Sequence, residues 1–193
     1  MARVSPERIW TEIRKILVTR NPEETLAYMG STGVGKQIGL ATANAKKLAR
    51  LERTKNPIVP LAVLVDNATL AQTWKMSNKE SALLNFLVKH KNKPINKDLA
   101  IGLLHDGVSK DALLHLLNIQ SKFNLADVIR TYEQPDFPVT GKDLIAKGMK
   151  PGIEIGKTLD ALKNKWKSSK YQLTKQDLIK NILCIVFIVL LTA

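Results

Sequence analysis

Acidic side chains and cysteine are both scarce in this sequence. Seventeen Asp and Glu stand against thirty Lys and Arg over 193 residues, a formal charge of +13. Such a surplus draws polyanions by counterion release or lies against anionic lipid, without naming which. Cys184 is the only cysteine, so a disulfide framework and a zinc site of Cys ligands are both excluded, and a reducing cytoplasm is the expected location. No G-x-S-x-G or H-E-x-x-H pattern occurs, which leaves serine-hydrolase and zinc-protease chemistry without their residues. No segment alternates apolar and polar residues long enough to build a sheet. The start, Met1-Ala2-Arg3-Val4-Ser5-Pro6, has no apolar signal-like core and passes directly into a helical pattern. The apolar run at 182–191, ILCIVFIVLL, falls short of the roughly 18–20 residues that span a bilayer, so a membrane partner is not expected. Its readings are a buried terminal helix, an interface or a changed reading frame, and it is an aggregation hazard in each.

Helical signals fill the rest. Ser5 followed by Pro6 starts a helix over roughly 6–18, with Ile9, Ile13, Ile16 and Leu17 on one face. Asn21-Pro22-Glu23-Glu24 starts a short second one, and alanine-rich 35–53 favours a long helix with Lys46, Lys47, Arg50 and Arg53 outward. Asn56-Pro57 and Pro60 break the chain before an apolar, buried helix from Leu61 to Leu70. Ser77-Asn78-Lys79-Glu80 is a capping box, Asn96 and Ser109 cap two leucine-rich helices, and Thr140 caps a short one that Gly148 ends in the left-handed conformation. Ile155, Leu159, Leu162 and Trp166 stripe a lysine-rich helix, and Thr174 caps the last. The fold class is all-α: an elongated multi-helix body over 1–134 and a small helical tail over 135–193, jointed at Pro135 and Pro138.

Three patterns invite chemical readings. Gly30-Ser31-Thr32-Gly33-Val34-Gly35-Lys36 has P-loop spacing, but Gln37 replaces the Ser or Thr that reaches magnesium, and the preceding residues read as helix rather than strand. His105-Asp106 resembles a pair of metal ligands, yet only His90 and His115 remain to complete a set, so a capping role at a helix end is preferred and no metal site is assigned. The basic clusters at 46–55, 89–97 and 163–170 admit either a solvated surface or a phosphate-contacting track. Residues 1–97 hold seventeen basic and seven acidic side chains, which favours RNA contact in that half. The expected contacts are Lys46, Lys47, Arg50, Arg53, Lys150, Lys157, Lys163 and Lys167. The turn bearing Gly148, Gly152 and Gly156 either offers backbone N–H groups to a phosphate or is a plain helix–helix turn.

Two stretches carry more than composition. The opening SPERIWTEIRKIL resembles the end of the neck of bacterial tRNA nucleotidyltransferases (CCA-adding enzymes) and the related poly(A) polymerases, with Glu7 and Arg8 at the family's E-R pair. The closing VTGKDLIAKGMKPGIEIGKTLDALKNKW is similar to the family's tail, where Gly148, Lys150, Pro151, Gly152, Ile155 and Gly156 match its G-x-K-P-G-x-x-I-G pattern. KQIGLATANAKKLARLE and the Met76-Ser77-Asn78 step resemble the body, so the likeness covers nearly the whole chain. The family's catalytic head, with its glycine-serine loop, its D-x-D pair for two metal ions and its E-D-x-x-R element, has no counterpart here. The resemblance thus implies the RNA-binding C-terminal part of a split or truncated enzyme of RNA 3′-end processing. It implies no complete active site and no cofactor in this chain, magnesium belonging to the head. The implied partner is tRNA or other RNA. Two alternatives stay open: a helical subunit that restores CTP- and ATP-dependent addition with a separately encoded head chain, or a degraded remnant without function.

Overall fold

The computed structural model describes residues 4–40, 42 and 44–180, and the regular elements among them are all helices. The apolar run at 182–191 and Cys184 lie outside the described residues. The chain divides into two compact units, Met1–Tyr132 and Glu133–Ala193. In the first, α1 (Pro6–Leu17), α2 (Pro22–Ser31) and α3 (Val34–Gln37) lead to a 3₁₀ helix (Ala45–Arg50), followed by α4 (Ile58–Leu64), α5 (Thr69–Thr73), α6 (Asn78–His90), α7 (Lys97–His105), α8 (Lys110–Ile119) and α9 (Phe123–Thr131). The second holds α10 (Gly141–Ala146), α11 (Ile153–Ser168) and α12 (Lys175–Lys180).

Local chemistry fixes most helix starts. The Ser5 hydroxyl accepts the Arg8 N–H at 3.4 Å, and Asn96 and Ser109 do the same for Leu99 and Ala112. Each satisfies one of the four N–H groups that a first helical turn leaves without a partner. At α6 the capping box closes in both directions between Ser77 and Glu80. A second oxygen of Glu80 accepts the indole N–H of Trp10 at 3.1 Å. Trp10 stacks on Trp74 with ring centroids 6.0 Å apart, and the Trp74 N–H goes to the Ile38 carbonyl at 3.1 Å. Both indoles are therefore buried with their polar atoms satisfied, as buried tryptophans require.

The core of the first unit forms around α4, in which Ile58, Val59, Pro60, Leu61, Ala62 and Leu64 are all buried, packed on α6 and α8. Two expectations fail here. Pro60 does not break the chain before a helix at Leu61 to Leu70: it sits in the first turn of α4, where a missing N–H costs nothing. The apolar stretch then divides, because Val65 turns extended and α5 starts only at Thr69. Nor does 35–53 form one long helix. Gly39 takes a left-handed φ of 80° and the chain rewinds as the short 3₁₀ helix, alanine propensity yielding to the burial of Leu40, Ala45 and Leu48 and to the bond from Trp74. One element was not anticipated: α9 has no side-chain cap and buries Ala126 and Ile129.

In the second unit Val139, Leu144, Leu162, Trp166 and Leu178 form a separate core, with Phe137 and Tyr171 against the Trp166 ring at centroid distances of 5.4 and 5.1 Å. Thr140 caps α10 through a capping box with Asp143, and Gly148 follows it at φ 94°.

Candidate nucleic-acid interface

The basic segments at 46–55 and 89–97 lie far apart in sequence, and the C-terminal end of α8 holds both. Asn118 accepts the Glu52 N–H at 2.9 Å and donates to the Glu52 carbonyl at 3.1 Å, a two-bond clamp on the backbone just beyond the 3₁₀ helix. One turn earlier, His115 Nε2 meets the Asn56 side-chain amide at 3.3 Å, and Asn56 Oδ1 in turn accepts the Ile58 N–H at the start of α4. Because the amide nitrogen donates, Nε2 accepts and the imidazole is neutral. Burial lowers its pKa below the ordinary value, with Asp111 pulling the other way. On the second segment, Gln120 Nε2 donates to the carbonyls of His90, Lys91 and Lys93 at 3.1, 3.3 and 2.7 Å, and the Lys122 ammonium bonds the Ile95 carbonyl.

Between the two clamped segments opens a cleft of about 430 Å³ lined by Lys47, Arg50, Lys91, Asn92, Gln120 and Ser121, with no acidic side chain among its lining residues. In a 3₁₀ helix, residues three apart eclipse, which stacks Lys47 and Arg50 on one face. Lys46, Lys47, Arg50 and Arg53 are all exposed, and none forms an ion pair among the described residues. The four do not converge, however. Arg53 lines a neighbouring cleft of about 370 Å³ together with Arg20, Glu23 and Glu52, and Lys46 lines neither.

Several lysines are spent on structure. Lys91, with 9% of its side chain exposed, donates to the Ala62 carbonyl at 3.0 Å and to the Val65 carbonyl, satisfying the end of α4. Burial lowers its pKa, Asp66 raises it and Lys47 lowers it further. Lys110 reaches the Arg130 and Tyr132 carbonyls at 3.3 and 2.8 Å and closes α9 in the same way. Neither use could be read from the sequence, because donor and carbonyl are 20 or more residues apart. Asn118 and His115 did leave a signal, as polar residues three apart on a leucine-rich helix.

The remaining expected site residues scatter. Glu7 pairs with Lys75 at 2.7 Å, and that hydrogen bond is the main reason its carboxyl lies below the ordinary pKa. Arg8 lies instead in an apolar groove of about 910 Å³ formed by α1, α2 and α3, with Ile9, Ile13, Ile16, Met29 and Val34. Two of the P-loop-like glycines serve close packing: a Cβ on Gly35 would stand 2.9 Å from Thr42 Cγ2 and 3.0 Å from the Leu40 carbonyl, and one on Gly30 would meet Thr42 Oγ1 at 2.4 Å, whereas Gly33 has open space and a left-handed φ of 77°. His105 bonds the Tyr132 hydroxyl at 3.0 Å through Nε2, so its ring ties α7 to the end of the unit. No group of three or more His, Cys, Asp or Glu able to hold a metal ion occurs among the described residues. In the second unit Lys150, Lys157 and Lys163 are exposed and Lys167 is half-buried. The exposed Gly148 and Gly152 both have positive φ, 94° and 156°, and Gly156 falls within α11, on the same side as Lys163 and Lys167 at about 100° per residue.

Residues 1–44 match the family described as the probable RNA and SrmB-binding site of polymerase A. The whole chain has relatives as well. It is 31% identical to CCA tRNA nucleotidyltransferase 1, mitochondrial, of Danio rerio, over 94% of this chain and 47% of that protein. The corresponding proteins of Mus musculus and Homo sapiens are 30% and 29% identical, over 94% of this chain and 46% of each. The chain is thus similar to CCA tRNA nucleotidyltransferases over most of its own length, and it spans about half the length of those it matches.

Proposed function

We propose that this chain is the RNA-binding part of a tRNA nucleotidyltransferase or poly(A) polymerase relative, holding tRNA-like RNA during 3′-end processing while nucleotide addition belongs to a catalytic half outside this sequence. The observation that carries the reading is the cleft of Lys47 and Arg50, whose two walls are fixed by the end of α8 and contain no carboxylate. Cations on a lining without carboxylates favour phosphate, since an anion there meets an attractive field. Exposed Lys150, Lys157 and Lys163 of the second unit extend the same chemistry, and the N–H groups around Gly152 suit a phosphate at the start of α11.

The apolar groove of α1, α2 and α3 favours a second element of the reading. With the relatives twice as long as this chain, its occupant is the polypeptide corresponding to their other half, and Arg8 stands at that contact.

The test uses the purified chain and a tRNA lacking its 3′-terminal nucleotides, with and without a catalytic half from a relative, scored for binding and for incorporation of CTP and ATP. Binding that weakens steeply with salt, and incorporation only when the catalytic half is added, is the expected result. Incorporation by the chain alone overturns the division of labour. A flat salt response removes the phosphate argument.

A further inference from the structure

The C-terminal half of α6 carries a pair of rings beside the basic cleft. Phe86 and His90, one turn apart, lie with ring centroids 4.9 Å apart and planes tilted by 37°, and both are half-buried. Two rings four residues apart on a helix are an ordinary packing contact, yet this pair keeps a polar edge open. Neither ring nitrogen of His90 has a hydrogen-bond partner among the described residues, and neither is buried. Burial lowers the His90 pKa, and Lys93 and Lys89 lower it further, so the ring is neutral and the charges acting on it are cations alone. Residues 81–97 contain no Asp or Glu, and the exposed Lys89 and Lys93 form no ion pair among the described residues. Gln120 holds the carbonyls of His90 and Lys93, which fixes the backbone that carries both ring and cation. Lys91 and Asn92 line the cleft of Lys47 and Arg50, whereas Phe86, Lys89, His90 and Lys93 do not, so the ring pair is a neighbour of that cleft and not a part of it.

Resting on the reading of this body as an RNA-binding module, we infer that the Phe86–His90 ring pair is a stacking platform for an unpaired base of the bound RNA, with Lys89 and Lys93 toward the phosphates on either side of it. Lysines alone would answer any phosphate. Rings between them add a surface for a flat partner, and because every base has such a face the grip depends little on sequence. Bases inside a duplex are already stacked on their neighbours, so the platform favours single-stranded RNA. The neutral imidazole offers one donor and one acceptor nitrogen, which gives a ribose hydroxyl or a base edge its partner at the rim. An acidic peptide would pair with the lysines and leave the rings without a flat partner.

The test measures binding of the full chain to three RNAs: a short oligouridine strand, the same strand with abasic riboses in place of its nucleosides, and a blunt hairpin. The two strands carry the same phosphates, so the ratio of their affinities reads the bases alone. The parent should hold the uridine strand at least about fivefold tighter than the abasic one. His90→Phe keeps a ring and should keep that preference. His90→Lys removes the ring and adds a cation, and should bring the two strands within about twofold of each other. On charge alone the same variant would raise both affinities equally and leave their ratio as it was. In the parent, the ring-proton NMR signals of Phe86 and His90 should shift with the uridine strand and stay in place with the abasic one, a readout that needs no variant to fold. Equal affinity of the parent for the two strands, a preference that survives His90→Lys, or ring signals that ignore the uridine strand overturns the platform. With the hairpin still bound, any of these leaves the RNA reading standing; no affinity for any of the three RNAs removes that reading and the platform with it.

Discussion

Truncating Asn118 to alanine removes two hydrogen bonds and no charge, and so separates the positioning of the basic segment from its electrostatics. Both bonds end on the backbone of Glu52, an exposed residue. After truncation water therefore replaces the lost partner, and the cost is the net worth of two bonds, about 0.5–1.5 kcal/mol each. Alanine returns about 0.5 kcal/mol of helix propensity within α8. A net destabilisation of about 0.5–2.5 kcal/mol follows, read as a lower denaturant midpoint at constant slope. The freed stretch after the 3₁₀ helix must be reordered when RNA binds, and about 1 kcal/mol of reordering is roughly a fivefold loss of affinity. Every cation is still present, so the plot of log affinity against log salt keeps its slope. Lys47→Met, by contrast, should reduce that slope by roughly 0.7–0.9, one phosphate contact's share. If the Asn118 variant loses stability and still binds RNA like the parent at every salt concentration, the clamped segment is no part of the interface and the reasoning fails.

Three further outcomes are expected. His115 has its pKa lowered by burial, so between that value and the ordinary one of about 6.5 the unfolded chain binds more protons. Stability should be level above about pH 6.5 and fall as pH drops through the window. His115→Gln should flatten the fall to what His90, lowered by burial, Lys93 and Lys89, still contributes; an unaltered profile in urea titrations at several pH values contradicts this. Asp143 is held at about 2 by the Lys175 hydrogen bond first and by the Thr140 cap. Its contribution to the second unit is present above the ordinary aspartate value of 3.8 and lost as pH falls toward 2. Asp143→Asn should remove that acid step, followed by the Leu178 methyl resonances; the same acid midpoint in both proteins argues against it. Gly35→Ala should cost about 1–3 kcal/mol through overpacking on Thr42 and the Leu40 carbonyl, whereas Lys36→Ala should stay within about 0.5 kcal/mol. Equal melting temperatures for the two variants would show that the glycine is not required by packing.

What could be read in advance was the local chemistry. The Ser77 and Glu80 pair, the Ser5-Pro6 start and the left-handed Gly148 each follow from residues within four positions of one another, and the structure forms all three. Reading failed where a distant partner decided. Residues 35–53 have the composition of a helix, but Trp74 claims the Ile38 carbonyl and Gly39 turns the chain at φ 80°. Helix α9 was legible only through the buried Ala126 and Ile129, three apart, with no capping residue to announce it. In the candidate site the charge was plain and its arrangement was not. Lys47 and Arg50 share a cleft while Arg53 enters another, because the chain leaves the 3₁₀ helix in an extended conformation at Leu51.

Lys91 is where a count of charges and a structural reading make opposite forecasts. In a basic run such as KHKNKPINK it counts as one more phosphate contact, and replacing it should lower both RNA affinity and the salt slope. The structure buries its stem and commits its ammonium to the Ala62 and Val65 carbonyls, at a site whose burial already lowers its pKa. Lys91→Met keeps the length and apolar volume of the stem but leaves the final carbonyls of α4 without their donor. Hydrogen bonds to a charged group are worth about 1.5–3 kcal/mol each. Relief from desolving the ammonium offsets part of that, for a net loss of about 1–3 kcal/mol. The variant should unfold at lower denaturant while the salt slope of RNA binding stays at the parent value, since no phosphate contact has gone. A slope reduced by about 0.7 with stability intact would return Lys91 to the phosphate track, and the cleft would then have to be redrawn around three reaching cations instead of two.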